Sequence, residues 1–320
     1  MRAYFDAHCD TIYRCMEGDG SSVVAYGDAR RGGYAHLRQN DGHIDLLREK
    51  AFGRAAQFFA IFYDAAEAPD DGMWAQCQRQ HDFFLQEMAA NSDIVRHCRT
   101  GSEVDAAVAD GKVAALLSIE GGELVDCDVR RVETVADWGV RFLNPVWNRA
   151  NVLSGTNAEE PERGLSDAGR DFIRALEANG IYPDVSHLSD AGFWDLVHMA
   201  KRPIVASHSN SRTLCPHRRN LTDDQFRAIR DLGGVVGINL YLYFVGEPTM
   251  DALVAHVEHF LSLGGEKTLC LGGDLDGCEA LAGGLTGVQD APKLYDTLRA
   301  RGYGEALLED IFWNNLRRLI

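Results

Sequence analysis

Short apolar runs alternate with longer amphipathic segments from one end of the chain to the other. Eight of the short runs read as strands: Ala3–Ala7, Ala56–Phe62, Val113–Ile119, Val140–Leu143, Ile181–Val185, Ile204–Ala206, Val235–Asn239 and Leu269–Gly272. Between them, apolar residues recur at helical spacing over Trp74–Ala90, Val129–Trp138, Asp167–Asn179, Leu188–Ala200, Asp223–Leu232 and Met250–Leu263. Asn179-Gly180 and Leu232-Gly233-Gly234 stop a helix just before the next strand. Repeated strand–helix units predict a parallel sheet covered by helices, and eight of them favour a closed (β/α)8 TIM barrel over an open doubly wound sheet. A barrel of this kind uses about 250 residues or more as one unit, so residues 1–320 are expected to form a single domain. The least regular stretches are Gly18–Gly42, Pro145–Gly164 and Gly277–Gln289.

Composition narrows the function classes. Hydrophobic residues at 46% and charged residues at 25% suit a soluble protein with a large core. A formal net charge of −16, with no basic stripe, argues against nucleic acid as a partner. No run approaches the roughly 18 apolar residues of a membrane span, and Met1–Phe5 leads straight into a motif, so neither a membrane anchor nor a signal peptide is expected. Eight scattered cysteines without a CxxC pair fit a reducing, cytoplasmic setting. Neither G-x-G-x-x-G nor G-x-x-x-x-G-K-[ST] is present, which removes the usual nucleotide-binding signatures.

The chemistry concentrates at strand ends. The first strand closes in His8-Cys9-Asp10; positions i and i+2 share a face, so His8 and Asp10 can meet one metal ion while Cys9 turns away. Alone, such a triplet is common and reads more readily as a capped strand end with a solvated Asp than as a metal site. Four other strands end similarly, in Glu120, His187, His208 and Asp274. Parallel barrel strands bring their C-terminal ends to one mouth, where such enzymes keep their active sites. His187 and His208 both follow serine and lie 21 residues apart, one helix and two turns, which puts them on adjacent strands. Imidazoles and carboxylates form a zinc-like donor set, and Glu120 is the natural bridge between a His8/Asp10 site and a His187/His208 site. Two ions about 3.5–4 Å apart would polarise a carbonyl and acidify a water. His256 and His259, at i and i+3 with no third ligand nearby, read as ordinary helix residues, and the remaining histidines have no motif context.

These pieces resemble the membrane (renal-type) dipeptidase family, the binuclear zinc branch of the amidohydrolase superfamily. The resemblance rests on Phe5-Asp6-Ala7-His8-Cys9-Asp10, Ser118-Ile119-Glu120-Gly121-Gly122, Asp184-Val185-Ser186-His187, Ala206-Ser207-His208-Ser209, Arg218-Arg219-Asn220-Leu221-Thr222-Asp223 and Gly272-Gly273-Asp274-Leu275-Asp276-Gly277, in the family's order, with Trp313-Asn314-Asn315-Leu316-Arg317 similar to its closing helix. It implies two Zn²⁺, one on His8 and Asp10, one on His187 and His208, with Glu120 on both. It also implies that Asp274 moves the proton from water to the leaving amine, with Asp276 as a competitor, and that Arg219 pairs with the substrate carboxylate. Tyr241 would line the same pocket. Where better-known members place a carbonyl-polarising histidine, Asn144-Pro145-Val146-Trp147-Asn148 offers Trp147, whose indole donates a hydrogen bond but cannot become cationic. The implied protein is a cytoplasmic metallo-dipeptidase, dimeric by family analogy, acting on small dipeptides including those with a C-terminal D-residue. The competing readings are an amidase or N-acyl-amino-acid hydrolase on the same centre, and a noncatalytic metal- or peptide-binding barrel.

Overall fold

The computed structural model describes residues 3–16 and 36–320; most of the irregular stretch expected at Gly18–Gly42 lies outside the described residues. Nine strands lie among the described residues: β1 (Ala3–Cys9), β2 (Arg54–Phe62), β3 (Val95–His97), β4 (Val113–Glu120), β5 (Val140–Asn144), β6 (Tyr182–Pro183), β7 (Val205–Ala206), β8 (Val235–Ile238) and β9 (Leu269–Leu271). All pairings between them are parallel, in the order β6-β5-β4-β2-β1-β9-β8-β7. A parallel bridge between Asp184 and Val205 joins the two ends, so the sheet closes as an eight-stranded barrel. All eight predicted strands are present. The additional β3 pairs only with the first half of β4, off this path. Its three residues are too short to carry an alternation.

The six predicted helices form within one or two residues of their expected limits, and most of them open on a chemically marked end. Ser166, Ser189, Thr222 and Thr249 each accept from a backbone N–H in the first turn, and Thr222 with Gln225 completes a reciprocal capping box. Inside the helix Asp167–Ala178, Phe172, Ile173 and Leu176 occupy the buried face. Further helices, not read from the chain, lie at Gly101–Ala109, where Thr100 accepts from the Glu103 N–H, and at Ala291–Ala300.

Strand alternation sorts side chains into two cores. On β4, Val113, Ala115, Leu117 and Ile119 pack outward against the helices, whereas Ala114 and Leu116 fill the barrel interior. Phe5, Phe58 and Phe142 stack in sequence inside the barrel, with ring centroids 6.0 and 4.1 Å apart. Trp313, Leu316 and Leu319 of the C-terminal segment close the lower end, Trp313 lying 5.4 Å from Phe5. Above Leu116, the inward positions of β4 become Ser118 and Glu120. The barrel is therefore an apolar plug below and a polar mouth above.

Candidate active site

β1 does not alternate to its end. Asp6 pairs with Gln57 but Cys9 with Phe59, so three residues of β1 pass two of β2, a β-bulge. Asp6 lies outside the barrel beside Leu271, Leu294 and Phe312, and Cys9 belongs to the same outer core. Regular alternation would have put His8 on that outer face with Asp6. The bulge turns it inward, where it stacks on His208 at 3.9 Å.

At the mouth, His8 Nε2 lies 3.3 Å from Asp10 Oδ2 and 3.6 Å from Glu120 Oε2. The other oxygen of Glu120 lies 2.7 Å from His187 Nε2 and 3.3 Å from His208 Nε2. Asp274 Oδ1 is 3.9 Å from His8 Nε2, and its Oδ2 accepts from Asn239 Nδ2 at 2.9 Å. Glu120 thus stands between a His8/Asp10 pair and a His187/His208 pair. The triads His8–Asp10–Glu120 and Glu120–His187–His208 each bring their donor atoms within 4.8 Å of one another, as does His8–His208–Asp274.

These contacts fit a cation. His187 Nε2 and His208 Nε2 face each other at 3.2 Å. Their Nδ1 atoms already meet Asn148 Oδ1 at 3.0 Å and Ser207 Oγ at 2.7 Å, an arrangement that leaves both Nε2 lone pairs pointing at a carboxylate oxygen. Asp10 Oδ1 is buried without a hydrogen-bond partner among the described residues. Burial opposes charge on His8, but Glu120, Asp10 and Asp274 together outweigh it and push its pKa up to about 10. Burial, with Arg219 and His8 nearby, holds His187 and His208 well below the ordinary histidine range. Two histidines that refuse a proton and a carboxylate cluster that demands a positive charge are the electrostatics of a metal centre.

Buried polar groups hold the strand ends together. Asp6 accepts from the backbone N–H of His8 at 2.9 Å and of Gly273 at 2.8 Å, tying β1 to the loop after β9. Asp184 does the same for the other pair, accepting from Ser186 N at 3.0 Å and Ser207 N at 3.1 Å. Gly277 lies so close that a Cβ there would be 2.1 Å from Asp10 Oδ2 and 2.4 Å from Asp274 Oδ1. Asp274 and Asp276 themselves adopt left-handed backbone conformations, with φ of 56° and 65°, which aspartate tolerates better than most residues.

Eight of the nine sequence-predicted site residues line one cavity of about 230 Å³: Asp10, Glu120, Trp147, His187, His208, Arg219, Tyr241 and Asp274. His8 is buried, its Nε2 next to Asp10 Oδ2. Arg219 is buried, donates to the carbonyl oxygens of Ser186 and His208, and lies over the Phe244 ring at 5.3 Å. Tyr13, Arg14, Phe62, Asn148 and Phe244 complete much of the wall; of these only Phe244, in the aromatic run Tyr241-Leu242-Tyr243-Phe244, reads from the sequence as core or pocket wall. Asn148 adjoins Trp147 in the stretch already noted, but only its contact with His187 gives it a role. His256 and His259 are indeed helix residues: His256 Nδ1 accepts from Ser211 N at 3.1 Å, and His259 pairs with Asp223 at 2.7 Å.

Residues 2–320 match the model of the family described as membrane dipeptidase (peptidase family M19). The chain belongs to this family. An uncharacterized protein in the pqqA 5′ region of Klebsiella pneumoniae is 36% identical over 265 residues, spanning 79% of this chain and 96% of its own. Among solved structures, a metallo peptidase of the family named dipeptidase AC is 28% identical and superposes with a TM-score of 0.86 over 99% of this chain and 97% of its own. A metallo peptidase from Rhodobacter sphaeroides, liganded with a phosphinate mimic of the dipeptide L-Ala-D-Ala, is 28% identical with a TM-score of 0.85 over 99% and 98% of the two chains. The barrel, the family and a metal-dependent dipeptidase activity therefore agree.

Proposed function

We propose that the protein is a two-metal dipeptidase in which His8 and Asp10 hold one zinc ion, His187 and His208 the other, and Glu120 both. The observation that carries this reading is the division of Glu120: one oxygen faces His8 and the other faces His187 and His208. The nitrogen and carboxylate donors suit zinc. Two bound cations would supply Lewis acidity at the scissile carbonyl and lower the pKa of the attacking water.

Asp274 takes the proton from that water and returns it to the leaving amine. Burial and the charge of Asp10 raise its pKa, against the opposing effects of His8, Asn239 and Arg219, as a general acid–base requires. Asp276 is spoken for: its oxygens accept from Thr11 Oγ1 and His43 N, both at 2.7 Å. Arg219 reads the substrate's C-terminal carboxylate, and Trp147 and Tyr241 shape the pocket. A cavity this small favours dipeptides over longer peptides. The neighbour's ligand, an L-Ala-D-Ala mimic, supports including substrates with a C-terminal D-residue. All eight cysteines are free thiols, consistent with a reducing, cytoplasmic location. No helix among the described residues is long and apolar enough to cross a membrane.

Elemental analysis should find about two transition-metal ions per chain, and chelation should abolish dipeptide turnover. A carboxamide in place of the dipeptide carboxylate should impair the wild type severely and Arg219→Met little. Better turnover of N-acylated substrates than of free dipeptides would favour the amidase reading instead.

A further inference from the structure

Beside His187 the cavity wall carries two neutral N–H donors, the side chains of Trp147 and Asn148, on the loop after β5. The orientation of Asn148 follows from its partner. His187 Nε2 points at Glu120 Oε1 and at His208 Nε2. A cation among these atoms requires the bare lone pair there, so the imidazole hydrogen sits on Nδ1. That hydrogen needs an acceptor, and the atom 3.0 Å away is therefore the amide oxygen of Asn148. The amide nitrogen is left on the other branch of the side chain. Among the described residues it donates to nothing. The residue's backbone is held as well, its carbonyl accepting from Thr156 Oγ1 at 3.2 Å.

We infer that Asn148 is a catalytic residue with two tasks: its Oδ1 holds His187 in the metal-binding tautomer, and its Nδ2–H donates to the oxygen of the scissile carbonyl as negative charge develops there. The inference rests on the two-metal dipeptidase reading. A donor aimed before the reaction starts is worth more than one that must be recruited, and the three wall donors expected from the sequence, Arg219, Tyr241 and Trp147, are already engaged elsewhere or unanchored. Arg219 donates to the carbonyls of Ser186 and His208, and the Tyr241 hydroxyl donates to Glu279 at 2.8 Å. The Trp147 ring packs against Phe62 with centroids 4.8 Å apart and, among the described residues, makes no hydrogen bond that would fix its N–H.

Asn148→Asp separates the two tasks, since a carboxylate still accepts from His187 Nδ1–H but cannot donate to the substrate. The variant should retain the wild-type metal content by elemental analysis. Its kcat on a dipeptide should fall by about 10²–10³-fold, as for loss of an oxyanion donor, with KM changed only a few-fold. Calorimetric affinity for a phosphinate dipeptide mimic, which copies the tetrahedral state, should fall in parallel. Asn148→Leu removes both functions and should lose metal as well. Trp147→Phe should alter KM more than kcat. Wild-type kcat and phosphinate affinity in Asn148→Asp would overturn the inference. So would a defect repaired by added metal, or a kcat loss that appears in Trp147→Phe and not in Asn148→Asp. Failure of the underlying reading would show separately, as a wild-type enzyme indifferent to chelation.

Discussion

Two aspartates two residues apart, Asp274 and Asp276, have the same backbone conformation and opposite employment. Asp276 anchors the loop by accepting from Thr11 and His43, and its own N–H donates to His43 Nδ1 at 3.0 Å. Asp274 spends one oxygen on Asn239 and presents the other to His8. Asp274→Asn should therefore keep its metals and lose roughly 10²–10⁴-fold in kcat, the usual contribution of a positioned acid–base group. Asp276→Asn should mainly lower thermal stability, because it weakens two buried hydrogen bonds of about 1 kcal/mol or more each. Steady-state kinetics and melting curves on the two variants check the division; a kcat collapse confined to Asp276→Asn would reverse it.

Among the elements, β1 and β3 show how a short segment can matter beyond its length. The bulge in β1 changes the face of His8 without changing that of Asp6, so one strand braces the outer layer and supplies the mouth. β3 brings His97 beneath the helix Met73–Ala90, edge-on to Phe84 at 5.0 Å, with a buried Nε2 that has no hydrogen-bond partner among the described residues. Burial, reinforced by Arg99, lowers the His97 pKa from 6.5 to about 4. The folded state therefore resists a proton that the unfolded chain accepts. Stability from this group is complete above pH 6.5 and is lost as pH falls from 6.5 to about 4. The loss amounts to about 3 kcal/mol. His97→Gln should flatten the fall in melting temperature across that interval, measured by calorimetry in steps of pH; an unchanged slope would assign the acid sensitivity elsewhere.

Over the whole molecule, stability and chemistry occupy opposite ends of the barrel. The lower end is closed by the C-terminal segment, where Trp313 packs on Phe5 under the Arg54 guanidinium and Asn315 Nδ2 donates to the carbonyls of Glu266 and Leu269 at 2.9 and 2.8 Å. Near the upper end, the inward positions Gly237 and Gly272 let strands approach the Ser207 carbonyl, which a Cβ at either would meet at 1.9 or 1.8 Å. Trp313→Ala should cost about 3–5 kcal/mol of stability, the usual loss for a buried tryptophan, yet leave kcat per folded molecule at 25 °C within about two-fold, because the plug touches none of the mouth residues. Denaturant titration together with active-site-normalised kinetics would test this separation, and a kcat loss matching the stability loss would contradict it.

The eight barrel strands were legible along the chain because each is a short apolar run whose turns and helix caps are written in adjacent residues. The site was partly legible for the same reason: parallel strands must deliver their terminal residues to one mouth, so His8, Asp10, Glu120, His187, His208 and Asp274 could be grouped before any contact was known. Their family order carried Arg219 and Tyr241 with them. Contacts between distant segments decided the rest. A three-residue strand such as β3 has no periodicity and forms because β4 offers it an edge. The bulge that turns His8 inward depends on the register between β1 and β2. The choice between Asp274 and Asp276 depends on Thr11 and His43 arriving from elsewhere, and Asn148 gains its role only where the loop after β5 meets His187. Local sequence sets periodicity and capping, whereas the direction and protonation of a polar side chain depend on partners that only the closed barrel brings within hydrogen-bonding distance.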